Sequence, residues 1–142
     1  MPTLGKPSIH VRREAMTGEM RRVLTDAVGL ADRLEPSLAC HEAWPHGLGD
    51  ILADLLDLFE DHMGREARWF AAQEGSVVPV LTADHQALGE GLQAVQKATR
   101  RLTAPQGACA EWERLYALCG RLHQSLLTRI QQEDEVLESL HA

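Results

Sequence analysis

Apolar residues recur along this chain in steps of three and four, the period of helices that bury one face. Met16, Met20, Val23, Ala27, Leu30 and Leu34 form the first such line, and predict a helix from about Ser8 to Leu34 that stops before Pro36. A loop with two prolines, Glu35 to His46, follows. Leu48, Leu52, Leu55, Phe59, His62, Glu66 and Trp69 or Phe70 predict a second helix from about Gly47 to Gln73, closed by Gly75-Ser76. Leu81, His85, Leu88, Leu92, Val95 and Leu102 predict a third, capped near Thr82 or Asp84 and running to about Leu102. Past Ala104-Pro105-Gln106-Gly107, a fourth fills about Ala108 to Leu140. Its inward line is Trp112, Leu115, Cys119, Leu122, Leu126, Arg129, Glu133, Val136 and Leu140. β-Branched residues never alternate for long, so strands have no foothold. Long helices joined by short breaks pack as antiparallel neighbours. The expected fold class is all-α: an antiparallel up-down-up-down four-helix bundle.

The stripes carry residues that a core should exclude. His62 and Glu66 lie one turn apart on the second stripe, His85 on the third, and Arg129 and Glu133 one turn apart on the fourth. His62 follows Met20 by 42 residues and Arg129 follows His85 by 44, so two helical hairpins of similar length would bring these six positions to one level. The polar residues then form a layer. Burying an unpartnered carboxylate costs several kcal/mol, and two in one layer repel as well. Something positive has to sit between Glu66 and Glu133. One answer is a metal held by Glu and His from facing helices, with iron, manganese or zinc matching the donor set. The other is Arg129, whose guanidinium can bridge two carboxylates.

Length and composition add limits. The 142 residues are expected to make one domain, 1–142, with residues 1–7 as an N-terminal arm. A formal charge of −7 argues against nucleic acid or an anionic membrane as partner. No apolar run approaches a bilayer span and the N-terminus lacks a signal-peptide segment, so a cytoplasmic location is expected. Cys40, Cys109 and Cys119 are too few and scattered for a disulfide framework; Cys109 and Cys119 are read as helical packing residues. Cys40, His41, Glu42 and His46 offer metal donors in the first loop, without the fixed spacing of a metal motif. No nucleophile–base arrangement supports a hydrolase, and the reading leans away from an enzyme. His10 and His123 lie too far along their helices, roughly 15 Å and 9 Å, to join the layer.

DHMGREARWF, ADHQALGEGLQAV, APQGACAEWERLY and TRIQQEDEVL, in this order and spacing, resemble the hemerythrin-like (HHE cation-binding) domain family over about residues 18–138. Within it, the similarity is to the C-terminal domain of repair-of-iron-centres proteins. The resemblance implies two non-haem irons bridged by Glu66 and Glu133, with His62 and His85 each capping one; these four residues are the candidate metal ligands. Met20 and Arg129 stand where the family supplies two further histidines. Trp69-Phe70-Ala71 and Leu137-Glu138-Ser139 stand where it has Leu-Phe-Pro. The expected cofactor is therefore non-haem iron, one ion or none rather than a diiron centre, with zinc as the alternative ion. The resemblance implies oxygen or nitric oxide sensing, iron handling or iron-centre repair, in keeping with a stress response. The competing expectation is a metal-free bundle, an interaction or regulatory module able to form a homodimer, in which Arg129 replaces the metals.

Overall fold

The computed structural model describes residues 9–72 and 78–141, without the side chains of residues 9–13, 70, 72, 140 and 141. The expectations for residues 1–7, Ser8, Gln73, Gly75-Ser76, and the side chains of His10, Phe70 and Leu140 lie outside the described residues. Four helices carry the chain: α1 (Ile9–Leu38), α2 (Leu48–Ala72), α3 (Val78–Ala98) and α4 (Ala110–His141). Each packs on its sequence neighbours, and α4 returns to α1, so the order around the bundle is the order in the chain. The fold is the expected four-helix bundle. The α3–α4 seam is its loosest contact.

The helix ends differ from the sequence reading in instructive ways. α1 runs through Pro36 to Leu38. Proline in a final turn forfeits one bond to the carbonyl four residues back, and the continuing apolar face offsets that loss. Glu35 then holds the loop in place, accepting hydrogen bonds from the Trp44 indole and from the Gly47 amide at 2.9 Å. α3 begins at Val78, a turn before Thr82, with Pro79 in its first turn, where a missing N–H matters least. Thr82 is therefore inside the helix, its hydroxyl donating to the Val78 carbonyl at 3.0 Å. Asp84 is no cap either; its partners are described below. The far end of α3 comes at Ala98 rather than Leu102. Arg100, Arg101 and Leu102 adopt left-handed φ of 51°, 58° and 60°. Such residues cost roughly 1–2 kcal/mol each. The buried Thr99 side chain offsets part of that, donating to the Val95 carbonyl at 2.7 Å and accepting from the Leu102 amide at 3.0 Å.

The main core runs through Leu24, Ala27, Leu52, Leu55, Phe59, Leu88, Leu92, Leu115, Leu122 and Leu126. A second, smaller cluster joins Val78, Leu81, Leu137 and Trp69. Between the two sit His62, Glu66, His85 and Arg129, all buried. Two positions leave the expected stripes. Met16 is 41% exposed, and Val136 is 51% exposed while Leu137 turns inward. Leu137 lies four residues past Glu133, and a straight helix of 3.6 residues per turn drifts enough over α4 to prefer that step to three.

The cysteines divide sharply. Cys40 and Cys109 are exposed and Cys119 is buried. Cys109 precedes α4 instead of packing within it, and its carbonyl accepts from the Glu113 amide at 3.1 Å. Burial pushes the Cys119 thiol up to about 12. Because the thiolate is the reactive form, a thiol-reactive disulfide reagent near neutral pH is expected to modify two cysteines rapidly and Cys119 only on unfolding. Rapid release of three equivalents from the folded chain would contradict this packing.

Candidate metal centre

α2 delivers His62 and Glu66 on one face, α3 delivers His85, and α4 delivers Arg129 and Glu133. The structure brings all five together. His62 Nε2 lies 3.2 Å from Glu66 Oε2 and 3.5 Å from Glu133 Oε1. His85 Nε2 lies 3.7 Å from Glu133 Oε2. The two imidazoles meet edge to face, with ring centroids 4.8 Å apart. His62, His85 and Glu133 each offer a ligand atom within 4.8 Å of the others.

Each histidine is fixed from behind by an aspartate on the next helix. His62 Nδ1 lies 2.9 Å from Asp84 Oδ2, and His85 Nδ1 lies 2.6 Å from Asp134 Oδ1. An ionised carboxylate only accepts, and with the proton on Nδ1 a neutral ring keeps its Nε2 lone pair facing inward. This is the arrangement by which proteins orient metal-binding histidines. Arg65 adds a third layer, gripping Asp84 through Nε at 2.7 Å and a terminal nitrogen at 2.6 Å.

Arg129 occupies the other half of the layer. Its guanidinium donates to Glu66 Oε1 at 3.0 Å and to Thr17 Oγ1 at 2.6 Å, and its Nε lies 3.6 Å from Glu133 Oε1. It thus sits between both carboxylates with its side chain only 6% exposed. The residue from α1 that reaches the layer is Thr17. Met20 is buried but lines a cleft with Val23, Leu122 and Ser125, one turn further along α1. That corrects the expectation that Met20 shares the level of the other five.

The titration of these groups follows from their surroundings. Burial raises the Glu133 carboxyl, but His62, His85 and the charge on Arg129 outweigh it and hold it down at about 2. Burial lowers the Asp84 carboxyl's preference for charge, yet Arg65 and His62 keep its pKa below the usual value. Burial alone would depress His85, and Glu133 and Asp134 reverse the sign and raise it. Burial pulls the Arg129 guanidinium down from its ordinary value against the pull of Glu133. The layer is a field of negative charge with one fixed cation in it.

Several participants escaped the sequence reading. Asp84 looked like a cap, and Asp134, Arg65 and Thr17 carried no signal. Asp84 and Asp134 do stand next to His85 and Glu133 in sequence, which could have marked them. The first-loop donors do not gather: among the described residues the metal-competent cluster is His62, His85 and Glu133. His41 instead packs edge-on to Trp112, and His46 faces Glu35 at 3.7 Å. His123 has its Nδ1 buried without a hydrogen bond among the described residues, away from the layer.

Iron-sulfur cluster repair protein YtfE of Yersinia pseudotuberculosis serotype IB (strain PB1/+) is 28% identical over 125 residues, covering 82% of this chain and 57% of its own. The protein of the same name from Yersinia pestis (strain Pestoides F) gives the same identity and coverage. The chain thus spans little more than half the length of these relatives. Residues 9–140 match the family model described as Hemerythrin HHE cation binding domain. With nearly its whole length matched and His62, His85, Glu66 and Glu133 gathered in the middle of the bundle, this chain belongs to the hemerythrin HHE cation-binding domain family.

Proposed function

We propose that this protein is a one-cation member of its family, with His62, His85 and Glu133 holding a single divalent ion and Arg129 taking the place of a second. The observation that carries the reading is the convergence of two aspartate-anchored imidazoles on one carboxylate. Two donors about 2.1 Å from a shared ion, at tetrahedral or octahedral angles, stand about 3–3.5 Å apart. The contacts of Glu133 with His62 and His85, 3.5 Å and 3.7 Å, are close to that spacing and long for hydrogen bonds. Glu133 Oε2 is also buried without a hydrogen-bond partner among the described residues, as a coordinating oxygen would be before its ion arrives. At the opposite half-site the donor set does not fit: a guanidinium lies between Glu66 and Glu133, and among the described residues His62 is the histidine that approaches Glu66.

Two imidazoles and a carboxylate suit ferrous iron, with zinc as the competing ion. Bound there, the ion would supply a Lewis-acidic centre. The relatives' names speak of iron–sulfur cluster repair, and reversible holding of one iron for such a process is the role we assign to this domain. A second reading rests on Arg129 itself. If its charge is sufficient compensation for both carboxylates, the bundle is metal-free and serves as an interaction or regulatory module.

Metal analysis separates these readings. Protein expressed in iron-supplemented medium is expected to carry one iron per chain, and Glu133→Gln to carry almost none. Fewer than about 0.1 ions per chain in wild type, with no uptake of ferrous iron or zinc under anaerobic dialysis, would favour the metal-free bundle. Two irons per chain would overturn both.

A further inference from the structure

His62 faces a sharper choice than His85, whose Nε2 has one carboxylate near it, Glu133 at 3.7 Å. The His62 Nε2 lies near two carboxylates, 3.2 Å from Glu66 Oε2 and 3.5 Å from Glu133 Oε1. A neutral imidazole has one N–H, and a carboxylate accepts it from either nitrogen. Were the proton on Nε2, it would bond to Glu66 or Glu133, and no lone pair would be left facing the ligand cluster. Asp84 opposes that outcome from the other side, 2.9 Å from Nδ1. Asp84 can do so only while its carboxylate is held in place and in plane. Arg65 holds it through a two-point grip at 2.7 Å and 2.6 Å.

The path is graded from surface to core: the side chains of Arg65, Asp84 and His62 are 30%, 14% and 2% exposed. Arg65 starts on α2, three residues past His62, reaches Asp84 on α3, and acts back on α2 through the imidazole. The other pair lacks this third member. Asp134, 44% exposed, has His85 as its ion-pair partner among the described residues and no arginine.

We infer that Arg65 is a positioning residue for the cation site: through Asp84 it selects the His62 tautomer with the proton on Nδ1 and the Nε2 lone pair turned to Glu133. The consequence for affinity rests on the one-cation reading. The tautomer itself does not.

The test uses the full chain in four forms: wild type, Arg65→Met, Arg65→Lys, and Arg21→Met as control. Arg21 pairs with Glu60 on the surface, outside the layer. Imidazole nitrogen NMR of the metal-free chain, at a pH where His62 is neutral, reads the tautomer. A cobalt(II) titration reads affinity. Wild type should show His62 protonated on Nδ1. Arg65→Met should move it toward the Nε2–H form and weaken cobalt binding about 10–100-fold, the usual effect of removing an outer-shell partner. Arg65→Lys, which keeps charge but loses the planar grip, should fall between, and Arg21→Met should match wild type. The inference is overturned if Arg65→Met keeps the wild-type nitrogen pattern, whatever cobalt does. Should Arg65→Met fail to fold, an unchanged pattern in Arg65→Lys overturns it equally. A wild type that binds no cobalt would sink the one-cation reading, while a tautomer shift in Arg65→Met would still support the selection by Arg65.

Discussion

Replacing Arg129 with alanine is expected to lower the stability of the metal-free protein by about 3–5 kcal/mol, the usual cost of removing one member of a buried ionic cluster. The guanidinium bonds Glu66 and Thr17 and lies beside Glu133, so its loss leaves two carboxylates in one layer without a fixed cation. At a few degrees per kcal/mol for a chain of this size, the melting temperature should fall on the order of 10 °C. Arg129→His should be destabilised without metal for the same reason, since a neutral imidazole cannot bridge two carboxylates. It differs in what a cation does to it. The new imidazole would face Glu66 and Glu133, completing a second half-site, so bound metal should rise from one ion per chain toward two. Binding to the folded state alone contributes about 2.7 kcal/mol at a hundredfold excess over Kd, enough to recover much of the loss. Thermal melts of wild type and both variants, with and without ferrous iron or zinc, check this. If neither substitution moves the metal-free melt, Arg129 does not compensate the carboxylates and the charge balance described here is wrong.

Trp112→Ala is expected to cost about 3–5 kcal/mol as well, yet to leave cation binding unchanged within twofold. Trp112 is 1% exposed and meets His41, Trp44 and Tyr116 edge to face, with centroids 4.9, 5.4 and 6.3 Å away. It ties the α1–α2 loop to the start of α4. At 1.5 Å rise per residue, its position on α4 is about 25 Å from Arg129. A cavity there loosens one end of the bundle and not the layer. The opposite pattern is expected of Glu133→Gln, which should abolish cation binding with a smaller effect on the melt. Chemical denaturation paired with cobalt titration of the two variants reads both quantities. Loss of cobalt affinity in Trp112→Ala would mean that the layer depends on the whole bundle for its geometry.

How much of this could be read from the chain follows from what periodicity records. A stripe at steps of three and four reports which face of a helix is buried, and that was enough for four helices, their pairing and the inward direction of His62, Glu66, His85 and Arg129. Helix ends were less legible. They depend on single local bonds, such as Thr99 capping a left-handed turn or Pro36 tolerated in a last turn, which compete within about a kcal/mol.

The sequence by itself determined the bundle and the existence of a charged layer, because both follow from the burial of one face per helix. Only the tertiary structure decided who stands behind that layer. Asp84 reaches His62, Asp134 reaches His85, and Thr17 in place of Met20 reaches Arg129, each across a seam between helices. Partners of this kind sit on the flanks of their helices, not on the apolar stripe. Their relation depends on how far neighbouring helices are rotated and shifted against each other, a matter of a few ångströms set by side-chain packing. No spacing within one helix encodes that.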